Sequence, residues 1–148
     1  RVRSLTLIGT SLAGDGYDPE PMYAPPSDEA GLRQGLETAL SREFVEEQAD
    51  AVTQFVEWRA AEDADPDAWG KQVAALDSFA IEKPYEITEP ALVVHGSDDR
   101  LCPVARGHEL ADDLPNAELF EVEGAGHLAH VEASRTVNDR LRTFLEAA

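Results

Sequence analysis

Three apolar segments that lack helical spacing predict three buried strands. The first lies within residues 4–9, the second covers residues 91–95 and stops at Gly96, and the third covers residues 117–122. The second segment, Ala-Leu-Val-Val-His, is continuous and does not alternate with polar residues. This pattern is typical of a strand that is buried on both faces of a parallel sheet.

Between the first two strands, residues 27–80 have helical spacing and predict three helices. Leucines recur at four-residue intervals from Leu32, and a second amphipathic face covers residues 45–59 with Ser41 as its N-cap. An Asp-Pro pair at Asp65 predicts the start of the third helix, because Asp caps a helix and Pro fits its first position. The segment predicts no strand.

Loops and two further helices complete the pattern. Residues 11–26 are rich in Gly, Pro, Asp and Tyr, which predicts a loop. A helix is expected over residues 103–114, and a last helix follows Gly126. The last helix has four apolar residues on one face, Val137, Leu141, Phe144 and Leu145. Strands that alternate with helices after Pro84 predict an α/β fold.

Composition narrows the classes of protein that fit. The 148 residues include 12 Lys+Arg and 30 Asp+Glu, which gives a formal net charge of −18, and 43% are hydrophobic. A chain this apolar is globular rather than an acidic disordered tail. The strong negative charge argues against nucleic acid as a partner, and the absence of a long apolar run argues against a membrane partner.

The kind of charged residue adds a hypothesis about habitat. Lys71 and Lys83 are the two lysines, and carboxylates are spread along the whole chain. A dispersed acidic, lysine-poor surface suggests a halophilic protein, whose charges repel one another at low salt and are screened at high salt. The single cysteine, Cys102, fits a reducing, cytoplasmic location. The start at Arg1 suggests that an N-terminal part has been removed.

Reactive side chains are concentrated directly after two of the strands. Residues 95–103 read His-Gly-Ser-Asp-Asp-Arg-Leu-Cys-Pro, and residues 124–132 read Gly-Ala-Gly-His-Leu-Ala-His-Val-Glu. In a parallel sheet, sites form beyond the carboxyl ends of the strands. A carboxylate from one loop and a histidine from the next could therefore form the orienting pair of a catalytic triad.

These segments resemble the C-terminal half of an alpha/beta-hydrolase. Residues 90–103 are similar to the strand and acid loop of that family, and residues 116–132 to its strand and histidine loop. The resemblance implies that Asp99 is the triad acid and His127 the general base. It also implies an α/β fold consisting of the C-terminal part of the hydrolase sheet with a helical cap insertion.

The resemblance divides the chain into three parts and leaves one functional element unassigned. Residues 1–26 would be a core strand and loop, residues 27–80 the helical cap, and residues 81–148 the C-terminal half of the core. The Gly-x-Ser-x-Gly nucleophile elbow and the oxyanion-hole loop of the family would precede Arg1. We therefore expect this chain alone to show little or no esterase activity.

Ser11 is a possible substitute for the nucleophile. Ser11, Asp99 and His127 follow the order of the family triad, but an elbow serine needs a helix directly after it to help form the oxyanion hole. The Gly- and Asp-rich residues after Ser11 do not predict such a helix, so we expect Ser11 to line the substrate pocket. Tyr17 could also line a pocket, and Met22 and Tyr23 are the loop residues that we expect to face a ligand.

Structural roles are expected for the remaining polar candidates. We expect Asp98 to be a solvated loop carboxylate, His95 to be packed and hydrogen-bonded, and His108 to lie on the surface. Glu132 would complement a helix dipole. Further packed residues are expected at Cys102, Trp58 and Trp69. His127-x-x-His130 is a weak metal pattern, so neither a metal nor a cofactor is expected.

The leading hypothesis is a serine-type hydrolase of esters or related small carbonyl substrates, to which this chain supplies the triad Asp and His. One alternative is a non-catalytic remnant or binding module of the same fold, which would form a homo-oligomer or pair with a missing N-terminal half because half a sheet has an open edge. A second alternative is dehalogenase or acyltransferase chemistry on this fold.

Overall fold

A computed structural model describes residues 2–62 and 65–148 and contains a three-stranded parallel sheet. The strands are β1 (Leu5–Ile8), β2 (Ala91–Gly96) and β3 (Ala117–Val122). They lie in the order β1-β2-β3, with Val94 opposite Ile8 on one side and opposite Phe120 on the other. The predicted α/β fold with a parallel sheet is thereby confirmed.

The helices fall into two groups along the chain. Between β1 and β2 lie α1 (Glu29–Ala39), α2 (Arg42–Glu47), α3 (Ala49–Glu62) and α4 (Pro66–Asp77), which we call the helical block. After β2 come α5 (Val104–Asp113), α6 (Ala129–Glu132) and α7 (Ser134–Ala147). In the described residues, no helix is both long and apolar enough to cross a membrane.

The central strand separates two apolar layers. Leu92 and Val94 pack with Val137 and Phe144 of α7 on one face of β2. Val93 packs with Leu110 of α5 on the other face. Successive side chains of a strand point to opposite faces, so the continuous apolar segment of β2 fills both layers, and all six of its residues are buried.

The helical block has its own apolar core and the two predicted N-caps. Leu32 and Val52 are fully buried in that core. The Ser41 side chain accepts a hydrogen bond from the N–H of Phe44, and the Asp65 side chain accepts one from the N–H of Ala68. Each cap satisfies a backbone donor that the helix itself leaves without a partner.

Several sequence-based expectations about these elements are wrong. The helix predicted over residues 45–59 is broken at Gln48, whose backbone leaves the helical region and separates α2 from α3. Trp58 is expected to pack but is 58% exposed, and Leu145, on the apolar face of the last helix, is 59% exposed, because amphipathic spacing alone does not tell how wide the buried stripe is. By contrast, residues 11–26 contain no α-helix and only two short 3-10 turns, Gly14–Gly16 and Glu20–Met22, in agreement with the predicted loop.

Candidate active site

The turns after β2 and β3 bring Asp99 and His127 together. We call residues 97–103 the Asp99 loop and residues 123–128 the His127 loop. Asp99 Oδ2 lies 2.8 Å from His127 Nδ1, although the two residues are 28 positions apart in the chain. The carboxylate is buried and accepts from a ring nitrogen, so Nδ1 carries the proton and Nε2 is available as a base.

The other carboxylate oxygen is held by the backbone of its own loop. Asp99 Oδ1 accepts hydrogen bonds from the N–H groups of Leu101 and Cys102, each at 2.9 Å. Burial by itself would raise the pKa of the Asp99 carboxyl, but hydrogen bonds from His127, His95 and the Cys102 N–H hold that pKa well below its usual range. Asp99 is therefore ionised at neutral pH.

A second imidazole contacts the same carboxylate. His95 is fully buried at the end of β2, and its Nε2 lies 3.3 Å from Asp99 Oδ2 and 2.7 Å from the carbonyl oxygen of Cys102. Burial lowers the pKa of His95, but its hydrogen bonds to Asp99 and Cys102 outweigh this and raise the pKa to about 10. His95 is thus a packed, hydrogen-bonded histidine, as the sequence predicted.

The His127 ring borders a cavity of about 250 Å³. The lining also includes Ser11, Tyr17 and Gly9. Gly9 has φ +55°, a backbone conformation that favours glycine, and a Cβ at this position would lie 3.1 Å from His127 Cε1, a tight contact that would press on the ring. With 16% of its side chain exposed, His127 is accessible from this cavity.

Tyr17, a possible pocket residue that the sequence did not single out, contacts His127 directly. Its ring stacks on His127 with 5.2 Å between ring centroids and 25° between the ring planes. Burial, and then the nearby negative charge of Asp99, raise the pKa of the Tyr17 hydroxyl. Its aromatic ring in a loop was a reason to consider Tyr17 for the pocket, but a loop without periodicity does not indicate which side chain the ring contacts.

Ser11 lies at the end of the cavity next to β1. It is buried, and its Oγ donates a hydrogen bond to the carbonyl oxygen of Ala13 at 2.6 Å. The chain continues into the 3-10 turn Gly14–Gly16. This arrangement differs from a nucleophile elbow, in which an α-helix starts directly after the serine.

Met22 and Tyr23 lie in a different region from His127. The carbonyl oxygen of Met22 accepts a hydrogen bond from Arg59 Nη2 at 2.9 Å. Tyr23 is 41% exposed, packs against Trp69 with ring centroids 5.8 Å apart, and lines a separate groove along α4. The structure thus places Ser11 beside His127 and puts Tyr23 in another groove.

The other polar candidates have the surroundings expected of structural residues, except for Glu132. Asp98 is exposed, Cys102 is buried, and exposed His108 lies 3.0 Å from Glu121. Glu132 was expected to complement a helix dipole, but its carboxylate instead accepts two backbone hydrogen bonds from other segments. Throughout residues 2–62 and 65–148, no three His, Cys, Asp or Glu side chains are grouped to hold a metal ion.

A family model described as TAP-like protein matches residues 54–148, which hold both loops of this site. The chain belongs to the alpha/beta-hydrolase family. Among curated relatives, the chain is 40% identical over 62 residues to the proline iminopeptidase PfmaB of Pestalotiopsis fici, covering 42% of this chain and 22% of the relative. It is 38% identical over 76 residues to the putative carbamate hydrolase RutD of Stutzerimonas stutzeri, covering 51% of this chain and 29% of that relative.

Solved structures show the same fold. The chain aligns with an enol-lactonase from Burkholderia xenovorans LB400 at a TM-score of 0.79 and 20% identity, over 99% of this chain and 57% of that one. It aligns with Est816, described as an N-acyl homoserine lactone degrading enzyme, at a TM-score of 0.76 and 26% identity. This alignment covers 97% of this chain and 58% of Est816. The chain therefore spans little more than half the length of these structures.

Proposed function

We propose that this chain supplies the acid and the general base of a serine-type hydrolase that acts on esters or related small carbonyl substrates. The observation that carries the proposal is the 2.8 Å contact between Asp99 Oδ2 and His127 Nδ1. Relatives of the chain are hydrolases of this family, which supports hydrolytic chemistry. Catalytic roles for the two residues are our inference from their geometry.

In the proposed mechanism, His127 Nε2 takes the proton of a serine hydroxyl as that oxygen attacks the substrate carbonyl. The same nitrogen returns the proton to the leaving group, and water repeats the cycle on the acyl-enzyme. Asp99 holds the Nδ1–H tautomer and stabilises the imidazolium that forms. Asp99 carries the negative charge needed for this at neutral pH, because its pKa lies well below its usual range.

The nucleophile is proposed to come from a segment outside these 148 residues. Support comes from Ser11, whose Oγ is hydrogen-bonded to Ala13 and which lies before a 3-10 turn. We expect the reading frame upstream of Arg1 to encode a strand, a Gly-x-Ser-x-Gly turn and a helix. A start codon directly before Arg1, with no elbow encoded, would contradict this.

Hydrolysis of p-nitrophenyl esters by the product of the whole reading frame tests the catalytic roles. We expect His127→Ala to abolish turnover and Asp99→Asn to reduce kcat by about 10⁴, the loss that this change causes in a serine-protease triad. Asp98→Asn is the matched control, because Asp98 is exposed in the same loop. Robust turnover by the 148-residue chain that Ser11→Ala abolishes would overturn the proposal and assign the nucleophile to Ser11.

The sheet edge favours a partner, which we propose to be the N-terminal half of the hydrolase sheet. Within the described part of the chain, β1 has one strand neighbour, β2, so the other edge of β1 presents backbone groups that can pair. Size-exclusion chromatography in high salt should show self-association of the chain alone. A stable monomer would argue against an edge that needs a partner.

A further inference from the structure

The carboxylate of Glu132 connects two distant segments of the chain. Glu132 Oε1 accepts a hydrogen bond from the N–H of Gly126 at 2.9 Å, and Oε2 accepts one from the N–H of Ser41 at 3.0 Å. Gly126 directly precedes His127, whereas Ser41 is the N-cap of α2 and lies 91 residues before Glu132. One side chain therefore joins the His127 loop to the helical block.

A backbone contact reinforces this connection. The N–H of His127 donates to the carbonyl oxygen of Ala39, the last residue of α1, at 2.7 Å. A Cβ on Gly126 would lie 2.5 Å from the same oxygen, closer than real Cβ atoms approach. Glycine at position 126 thus allows α1 to lie directly on the backbone that carries the imidazole.

The Asp99 loop binds the same end of α1. Arg100 Nη2 donates to the carbonyl oxygens of Glu37 at 2.5 Å and Leu40 at 2.6 Å. The last carbonyls of a helix have no partner within it, and a cation at this end is favourable for the helix dipole. Both loops of the candidate site are therefore anchored on the junction between α1 and α2.

We propose that Glu132 is a positioning residue for His127, which couples the placement of the imidazole to the helical block. Both its oxygens accept from N–H groups of buried residues, Ser41 and Gly126. Charge-assisted bonds of this kind are about twice as strong as neutral ones. Without them, the backbone of His127 moves relative to Asp99 and the Nδ1–Oδ2 contact loosens. This inference rests on the proposed role of His127 as the base.

Nuclear magnetic resonance of the full 148-residue chain tests the proposal without requiring turnover. One readout is the downfield proton on His127 Nδ1, which reports its hydrogen bond to Asp99. The other is hydrogen exchange at the amides of Gly126 and Ser41. In Glu132→Ala we expect the downfield signal to broaden or vanish and both amides to exchange at least tenfold faster.

Glu132→Gln separates hydrogen bonding from packing, because glutamine has nearly the same volume as glutamate but only one acceptor oxygen. We expect one of the two amides, Gly126 or Ser41, to keep its protection from hydrogen exchange in this variant. Glu123→Gln is the matched control, since Glu123 is an exposed carboxylate in the same loop, and it should change neither readout. Exchange at the amide of Val93 in the central strand monitors global folding in every variant.

An unchanged His127 signal in Glu132→Ala, with Val93 still protected, would overturn the proposal. If Glu132→Ala does not fold, an unchanged His127 signal in Glu132→Gln, with Val93 still protected, overturns the proposal instead. Failure of the proposed function is distinguishable, because it would appear as full ester hydrolysis by His127→Ala in the product of the whole reading frame. The exchange and signal measurements would be unaffected by that result.

Discussion

Replacing Asp99 should reveal how much of the stability depends on its carboxylate. In Asp99→Ala, the N–H groups of Leu101 and Cys102 both lose the acceptor Oδ1, and His127 Nδ1 loses Oδ2. The Asp99 side chain is 0% exposed, so solvent does not screen these bonds. At about 1–3 kcal/mol for each buried donor left without a partner, the two backbone groups predict a loss of roughly 2–6 kcal/mol.

Asp99→Asn should lose less free energy of unfolding than Asp99→Ala, so comparing the two variants separates the roles of the two carboxylate oxygens. Asparagine keeps an oxygen at Oδ1 for both backbone donors and replaces Oδ2, the oxygen that faces His127 Nδ1 and, at 3.3 Å, His95 Nε2. Its expected loss is about 1.5–3 kcal/mol, the value of one hydrogen bond to a charged group. Asp99→Ala loses this bond from His127 in addition to the two backbone bonds, so it remains the more destabilised variant. Asp98→Ala, an exposed neighbour, should stay within about 0.5 kcal/mol of the wild type.

Urea unfolding followed by far-ultraviolet circular dichroism in high salt measures the free energy of unfolding of the three variants. The order Asp99→Ala, Asp99→Asn, Asp98→Ala, from most to least destabilised, is expected. Equal losses in the two Asp99 variants would show that Oδ1 does not hold the loop. A loss in Asp99→Ala as small as in Asp98→Ala would refute the reasoning altogether.

Three further outcomes follow from the same contacts and charges. The folded-state pKa of Asp99 lies below its ordinary value of 3.8. Its contribution to the free energy of unfolding is therefore complete above about pH 4 and is lost as the pH falls further. We expect acid unfolding to depend less steeply on pH in Asp99→Asn than in the wild type. The net charge of −18 predicts a Tm that rises between dilute buffer and about 1 M salt, where the Debye length falls to about 3 Å, and a Tm that does not rise would refute the halophile hypothesis. Tyr17→Leu should lower the free energy of unfolding by about 0.5–1.5 kcal/mol, because it removes the stacking on His127. Tyr17→Phe keeps the aromatic ring and is the control. Equal urea midpoints for the two variants would exclude stacking as the cause.

Local patterns were sufficient to predict the elements that position the site. The apolar segment of β2 predicted a doubly buried parallel strand, since a strand covered on both faces has no polar alternation. The N-caps at Ser41 and Asp65 were also predictable, because a cap bonds to an N–H only three residues ahead. The sequence could also place Asp99 and His127 in loops, because each follows directly on a segment whose apolar pattern predicts a strand.

Contacts between segments were decided by the tertiary structure. Glu132 looked like a residue near the start of a helix, yet its carboxylate binds the backbone at Ser41, 91 residues away. Tyr17 stacks on His127 from a loop with no periodic pattern. The sequence determined which segments form strands, helices and turns, because those preferences act over a few residues. Partners distant in the chain depend on how the sheet and the helical block are placed, and local spacing carries no information about that.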